Sequence, residues 1–204
     1  MSIIKQSSVL LSGRWSFGGG TALMLQIGHR ESFDVDIFVD DPQLLPYLNP
    51  CIQDLQLDTS PDDYEAGGAS SLKLTFGGLG EIDFICAPAL TKPHTRLLVV
   101  ESHLAPVETL LEIVAKKIVH RGRHMQPRDM FDIAATVRSA DNNDLLVGLE
   151  PYSAACLQAM HVADGMRPEL VAASLDRLLV KAGFEDLRRT AQADTVRFPS
   201  RFAA

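Results

Sequence analysis

Cysteine is scarce in this 204-residue chain: Cys51, Cys86 and Cys156 are the only three, widely and unevenly spaced. That spacing fits neither a zinc ribbon nor a disulfide framework, so the thiols read as reduced and mostly buried. Long apolar runs are missing too. The stretch from Met1 to Leu11 offers only Val9-Leu10-Leu11, too short for a signal-peptide core, and nothing reaches membrane-spanning length. These absences predict a cytoplasmic protein with no membrane partner. No internal repeat or low-complexity tract is present. Basic charge is absent between Glu31 and Glu65, a span with ten acidic residues and no Lys or Arg. With a formal net charge of -7, a simple nucleic-acid coat is excluded, because such binding rests on Lys and Arg.

The composition, 46% hydrophobic and 22% charged, is ordinary for a globular chain and suffices for one large domain or two small lobes. Charge is distributed in blocks. Lys116 to Arg128 carries five basic residues and no acid, the reverse of the acidic span. Either two solvated faces result, or a cleft in which metal-binding carboxylates face phosphate-binding cations.

The order of elements points to an α+β protein. Strands are expected at 14–17, 35–39, 72–76, 81–86 and 97–100, with 72–86 forming a hairpin, and short helices at 21–27, before Gly28, and 43–48. After Pro106 the pattern turns helical. Val107, Leu110, Leu111, Val114 and Ile118 form one stripe on a helix expected over 107–120, with Lys116 opposite the stripe and Lys117 at its edge. Further helices are expected at 127–139, 142–149, 151–163 and 167–182. A lobe boundary is placed at 103–106, which divides the chain into residues 1–105 and 106–204.

The chemistry concentrates in Gly18-Gly19-Gly20-Thr21 and Asp34-Val35-Asp36. Consecutive glycines beside a hydroxyl suit backbone amides aimed at a phosphate. Asp34 and Asp36, two apart in a strand, share one face and can hold hard cations. The run lacks a Walker lysine and fails the dinucleotide fingerprint. Asp83, between Ile82 and Phe84, is either a third carboxylate of a two-metal site or an ordinary edge residue, with Glu81 as its fallback. Arg30 reads as a phosphate contact or as an ion-pair partner of Asp34 or Glu31. His120 and His124 read as a basic turn rather than a metal pair.

Together, Gly19-Gly20-Thr21-Ala22-Leu23, then Gly28-His29-Arg30-x-Ser32-x-Asp34-Val35-Asp36-Ile37-Phe38, closely resemble the AbiEii/AbiGii-type toxin family of the nucleotidyltransferase superfamily. Ile82-Asp83-Phe84 resembles its third-carboxylate strand. Ala115-x-Lys117-Ile118 and Arg128-Asp129-Met130-Phe131-Asp132-Ile133 resemble its lysine motif and Arg-Asp-x-x-Asp helix. The resemblance covers roughly residues 14–138. It implies a nucleotidyltransferase-like mixed-sheet catalytic lobe followed by a helical lobe, and Mg- or Mn-dependent transfer of a nucleoside monophosphate from an NTP to an acceptor hydroxyl. The acceptor implied is RNA, with tRNA foremost, and a cognate antitoxin is the implied partner in a toxin–antitoxin or phage-defence system. On this resemblance Gly19, Gly20 and Thr21 cradle the triphosphate, Arg30 and Ser32 add nucleotide contacts, and Asp34 and Asp36 bind the metal. Asp83 is a third metal ligand or the general base. Lys117 contacts phosphate, and Asp129 orients Lys117 or takes part directly, with Arg128 and Asp132 in support. Relatives often begin with a longer helical segment before the glycine strand, so part of that lobe is expected to be missing. Two other functions compete: adenylylation of a partner protein, and a non-catalytic nucleotide- or antitoxin-binding module.

Overall fold

The computed structural model describes residues 13–53, 57 and 59–198, with the side chain of Cys51 outside the description. The chain is an α+β protein whose contacts divide it into two bodies, one comprising residues 1–22 and 32–108 and the other 23–31 and 109–204.

The first body is built on strands β1 (Trp15–Gly18), β2 (Val35–Val39), β3 (Asp63–Ala66), β4 (Ser71–Phe76), β5 (Gly80–Cys86), β6 (Thr95–Val100) and β7 (His103–Glu108). They form one mixed sheet in the order β3-β4-β5-β2-β1-β7-β6. The β2–β5 and β1–β7 pairs are parallel and the rest antiparallel. Alternation decides the two faces. Phe17, Ile37, Phe84, Leu72, Leu74, Ala105 and Val107 fill the buried face. Ser16, Gly18, Asp36, Asp83 and Glu108 belong to the other, because Gly18 is registered with Asp36 and Asp36 with Asp83.

Helix α1 (Gly19–Ile27) leaves β1 directly and stops at Gly28, whose φ of 61° and N–H bond to the Met24 carbonyl at 2.8 Å close the last turn. A 3₁₀ turn (Pro42–Leu48), capped by the Asp41 side chain on the Gln43 N–H, precedes the single-turn helix α2 (Pro50–Gln53).

Two strands escape the sequence pattern. β3 is fully exposed, so no apolar alternation marks it. β7 contains Pro106, which argues against an interior strand. It is tolerated because the register joins β1 to β7 at Phe17 and Val107, beyond the proline. The turn before β7 is the two-residue Glu101-Ser102, with φ of 46° and 69°, the type I′ geometry that matches strand twist. Val107 therefore belongs to the sheet core and not to the helical stripe. The next helix, α3 (Leu110–Arg121), starts later than its apolar spacing suggests, because the Thr109 side chain accepts the Glu112 N–H at 3.2 Å and fixes the N-cap.

The second body contains α3, α4 (Pro127–Ser139), α5 (Asn142–Leu149), α6 (Ser153–Asp164), α7 (Pro168–Leu175) and α8 (Leu187–Arg197). Its core includes Ile113, Met130, Phe131, Ile133, Leu149, Leu175 and Leu187. The helix expected over 167–182 ends at Leu175 because the following chain is drawn into extended pairing. Val180 bridges Arg30, the Glu31 N–H donates to the Leu179 carbonyl at 2.8 Å, and the Lys181 N–H donates to the His29 carbonyl at 3.0 Å. Cys156 is buried and Cys86 half-buried, and neither is in a disulfide.

Candidate active site

The Gly-Gly-Gly run is the corner where β1 becomes α1. Gly19 has φ of 68°, a left-handed conformation that favours glycine. A Cβ there would lie 1.8 Å from Asp36 Oδ2, so the missing side chain is what seats the Asp36 carboxylate against the start of α1. A Cβ on Gly18 would lie 2.3 Å from Glu108 Oε2 and 2.6 Å from Phe38 Cε2. Two glycines thus make room for two carboxylates. The amides of Gly19, Gly20 and Thr21 open the helix, and amides of a first turn have no intrahelical acceptor, which suits them to an anion. The Thr21 hydroxyl donates to the Asp34 carbonyl and fastens the entry to β2.

Asp36 and Asp83 are opposite one another on adjacent parallel strands and project from the same face. Lys73, registered with Asp83 on β4, bonds Glu81 at 2.7 Å and reaches Asp83 at 3.9 Å. The bond that Lys73 donates to Glu81 raises the Lys73 pKa above its ordinary value despite partial burial. Asp34 precedes β2, two residues from Asp36. Among the described residues no three His, Cys, Asp or Glu side chains form a ready metal-binding group. The in-register pair still fits Mg²⁺, which keeps several waters and takes one or two carboxylates together with substrate phosphate.

Glu108 is a further carboxylate on this face that the sequence did not disclose. It is fully buried, accepts the Ser16 hydroxyl at 2.7 Å, and borders Gly18 in the same row as Asp36 and Asp83. Its only signal was the alternation of β7, hidden by the helical spacing of Val107 with Leu110 and Leu111.

In the second body Lys117 is bound by Asp129 and Asp132, each at 2.9 Å. Burial favours the neutral amine, yet Asp132 and then Asp129 more than offset it, and the Lys117 pKa is raised. Asp129 Oδ2 also accepts the Gln126 N–H at 3.0 Å, so one carboxylate caps α4 and orients the lysine. Asp132 is the hub. Arg30 donates to it through Nε at 2.7 Å and Nη2 at 3.0 Å, and His29 Nε2 lies 2.8 Å away. Because a carboxylate only accepts, the His29 Nε2 carries the proton. Burial would raise the Asp132 pKa, but Lys117, His29 and Arg30 hold it well below the usual carboxylate range. Arg30 is thus paired with Asp132, and its Nη1 also donates to the Glu31 carbonyl at 3.0 Å. Lys116, expected opposite the apolar stripe, is also buried and lies 3.6 Å from Glu112. Ser32 is half-buried between Glu31 and Phe33.

A family model described as nucleotidyl transferase AbiEii toxin, type IV TA system, matches residues 3–201. Among solved structures, the fold is similar to MenT4, a nucleotidyltransferase toxin from Mycobacterium tuberculosis H37Rv, with a TM-score of 0.56 and 17% identity over 94% of this chain and 80% of that one. It is also similar to a putative nucleotidyltransferase from H. pylori, with a TM-score of 0.54 and 20% identity over 98% of this chain and 90% of that one. Curated proteins gave no match. Among the described residues no helix is long and apolar enough to cross a membrane.

Proposed function

Because the chain belongs to the AbiEii nucleotidyltransferase toxin family of type IV toxin–antitoxin systems, we propose that it transfers a nucleoside monophosphate from an NTP to an RNA acceptor, with tRNA as the acceptor class. The observation that carries this reading is the Asp36–Asp83 pair in register beside the glycine corner that opens α1. Amides of Gly19, Gly20 and Thr21 would bind the triphosphate, and Asp36 and Asp83 would hold Mg²⁺ (or Mn²⁺), with Asp34 the further candidate ligand. Bound there, the cation would neutralise phosphate charge as it builds.

In the reaction the acceptor hydroxyl oxygen bonds to the α-phosphorus in line while the bond to the pyrophosphate oxygen breaks. The hydroxyl proton leaves as this bond forms, and Asp83 is the carboxylate placed to take it if it does not serve the metal. The resemblance of Ala115-x-Lys117-Ile118 to the family's lysine motif supports a phosphate-contact role for Lys117, and within the second body its ion pairs with Asp129 and Asp132 keep it protonated and hold its rotamer. Asp129 is then a positioning residue, as are Asp132, Arg30 and His29. The type IV toxin–antitoxin family supports a cognate antitoxin as partner.

Incubation with each α-labelled ribonucleoside triphosphate, Mg²⁺ and total tRNA tests the reading. Label is expected in RNA, and the Asp36→Ala variant should transfer almost none. Label appearing in protein would replace the RNA acceptor with a polypeptide, and transfer undiminished in Asp36→Ala would overturn the site.

A further inference from the structure

In the second body, charge is sorted by depth. The acids of α3 and α4, Glu112, Asp129 and Asp132, are all fully buried. Over residues 113–137 the titratable side chains that reach solvent are all basic: His120, Arg121, Arg123, His124 and Arg128. Arg121 is half-exposed and lies 3.3 Å from Asp129, the carboxylate that also holds Lys117 at 2.9 Å. Arg123, His124 and Arg128 are exposed and have no ion pair among the described residues. Ordinary surfaces intersperse both signs. In a chain of net charge -7, this surface has one sign because its acids point inward.

The backbone beneath these side chains is held in place. Gly122 opens the 3₁₀ turn Gly122–His124 and packs on α6, where an added Cβ would lie 3.1 Å from the Ala159 Cβ. Met125 follows, buried, and Pro127 starts α4. Arg123 and His124 are thus presented from an anchored turn, with Arg128 on the first turn of the next helix. The acid of α6, Asp164, is its last residue, more than a turn beyond Ala159.

We propose that this α3–α4 corner seats the phosphate backbone of the acceptor RNA, with Arg123 and Arg128 as its main contacts and Arg121 linking it to Lys117. This rests on the nucleotidyl-transfer reading and adds the surface that holds the acceptor. Guanidinium groups offer forked donors that match phosphate oxygens, and they remain charged at any working pH. Such contacts fix the backbone without reading bases, so the surface takes RNA irrespective of sequence. Position favours RNA over an acidic polypeptide. Arg121 and Lys117 share Asp129, so a strand bound here adjoins the cation assigned to the NTP phosphates, which an attacking hydroxyl has to reach.

Anisotropy of labelled tRNA with the full chain, without NTP and over a range of salt, tests the surface. Arg123→Gln together with Arg128→Gln should weaken binding about tenfold at physiological salt and lower the slope of log Kd against log salt by about 1.4–1.8, the share of two phosphate contacts. The melting temperature should stay within a few degrees of the wild type, because both residues are exposed. Arg167→Gln with Arg189→Gln removes the same charge from exposed positions elsewhere in the second body and should leave the slope near that of the wild type. Wild-type affinity and slope in the first pair, or an equal loss in the second, overturns the surface and leaves the transfer reading intact. Polyglutamate that displaces the tRNA as well as unlabelled tRNA does would assign the corner to an acidic polypeptide and overturn it too. If the wild type labels protein and no RNA in the transfer assay, the RNA acceptor fails and the surface fails with it.

Discussion

Gly19→Ala perturbs the site through one methyl group, and its effect follows from two separate terms. The first is backbone strain: a φ of 68° costs a non-glycine residue about 1–2 kcal/mol. The second is steric. The new Cβ would lie 1.8 Å from Asp36 Oδ2 and 2.5 Å from its Cγ, so the carboxylate must retreat by about 1 Å or more to reach ordinary contact. A displacement of that size at a reacting centre costs about a hundredfold in rate. Gly28→Ala supplies the control, because Gly28 has a similar φ of 61° but nothing within 4 Å of its would-be Cβ. Both variants should lose stability in urea unfolding, Gly19→Ala by the strain term plus the steric one, while only Gly19→Ala should lose transfer, by about two orders of magnitude in kcat/KM. Equal activity in the two variants would show that the seating of Asp36 by Gly19 is irrelevant to the chemistry.

Three further outcomes follow from the second body. Asp132→Asn leaves Lys117 and Arg30 facing a neutral amide in a buried setting and should cost about 3–5 kcal/mol in denaturant unfolding; a loss below about 1 kcal/mol would mean that the network is dispensable. Stability should also depend on pH at both extremes. The Asp132 contribution, from a depressed folded pKa, is fully present above its ordinary 3.8 and is lost as pH falls through the folded value. The Lys117 contribution, from a raised folded pKa, is complete below 10.5 and is lost as pH rises through the folded value. Unfolding midpoints measured across pH should therefore show a plateau with two falling limbs, and the acid limb should be shallower in Asp132→Asn. Finally, burial pushes the Cys156 thiol up to about 11, so at neutral pH a maleimide should modify it only on the timescale of unfolding, as mass spectrometry of native and urea-treated protein would show.

The parts of the fold legible in the sequence are those with strong local grammar. Val35–Val39 and Pro127–Ser139 were marked by apolar alternation and by a proline at a helix start, and both have the expected bounds. The hairpin of β4 and β5 was marked by its glycine turn. What stayed hidden depends on tertiary pairing. Strand β3 gains its conformation from the edge of β4 and has no buried residue of its own. Strand β7 is disguised by Pro106 and by a valine whose spacing also suits a helix. For the candidate site, the carboxylates and the adjacency of their strands were readable, since Asp36 and Asp83 lie on neighbouring strands, but their register was not. The reason for the glycines was readable only in part, since room for Asp36 and Glu108 cannot be inferred without knowing which strands adjoin β1. The pairing of Arg30 with Asp132 spans 102 positions and leaves no local trace.

The Asp36–Asp83 pair is the centre of the proposed chemistry, and a titration of transfer rate against Mg²⁺ at fixed NTP and tRNA tests its role. The wild type should be inactive without the cation and saturate as it is added. Asp36→Asn, which keeps the size and removes the charge, should fall by about two to three orders of magnitude at saturating NTP while retaining the wild-type melting temperature to within a few degrees. Wild-type rates in Asp36→Asn across the titration, or transfer that proceeds fully in chelator, would contradict it.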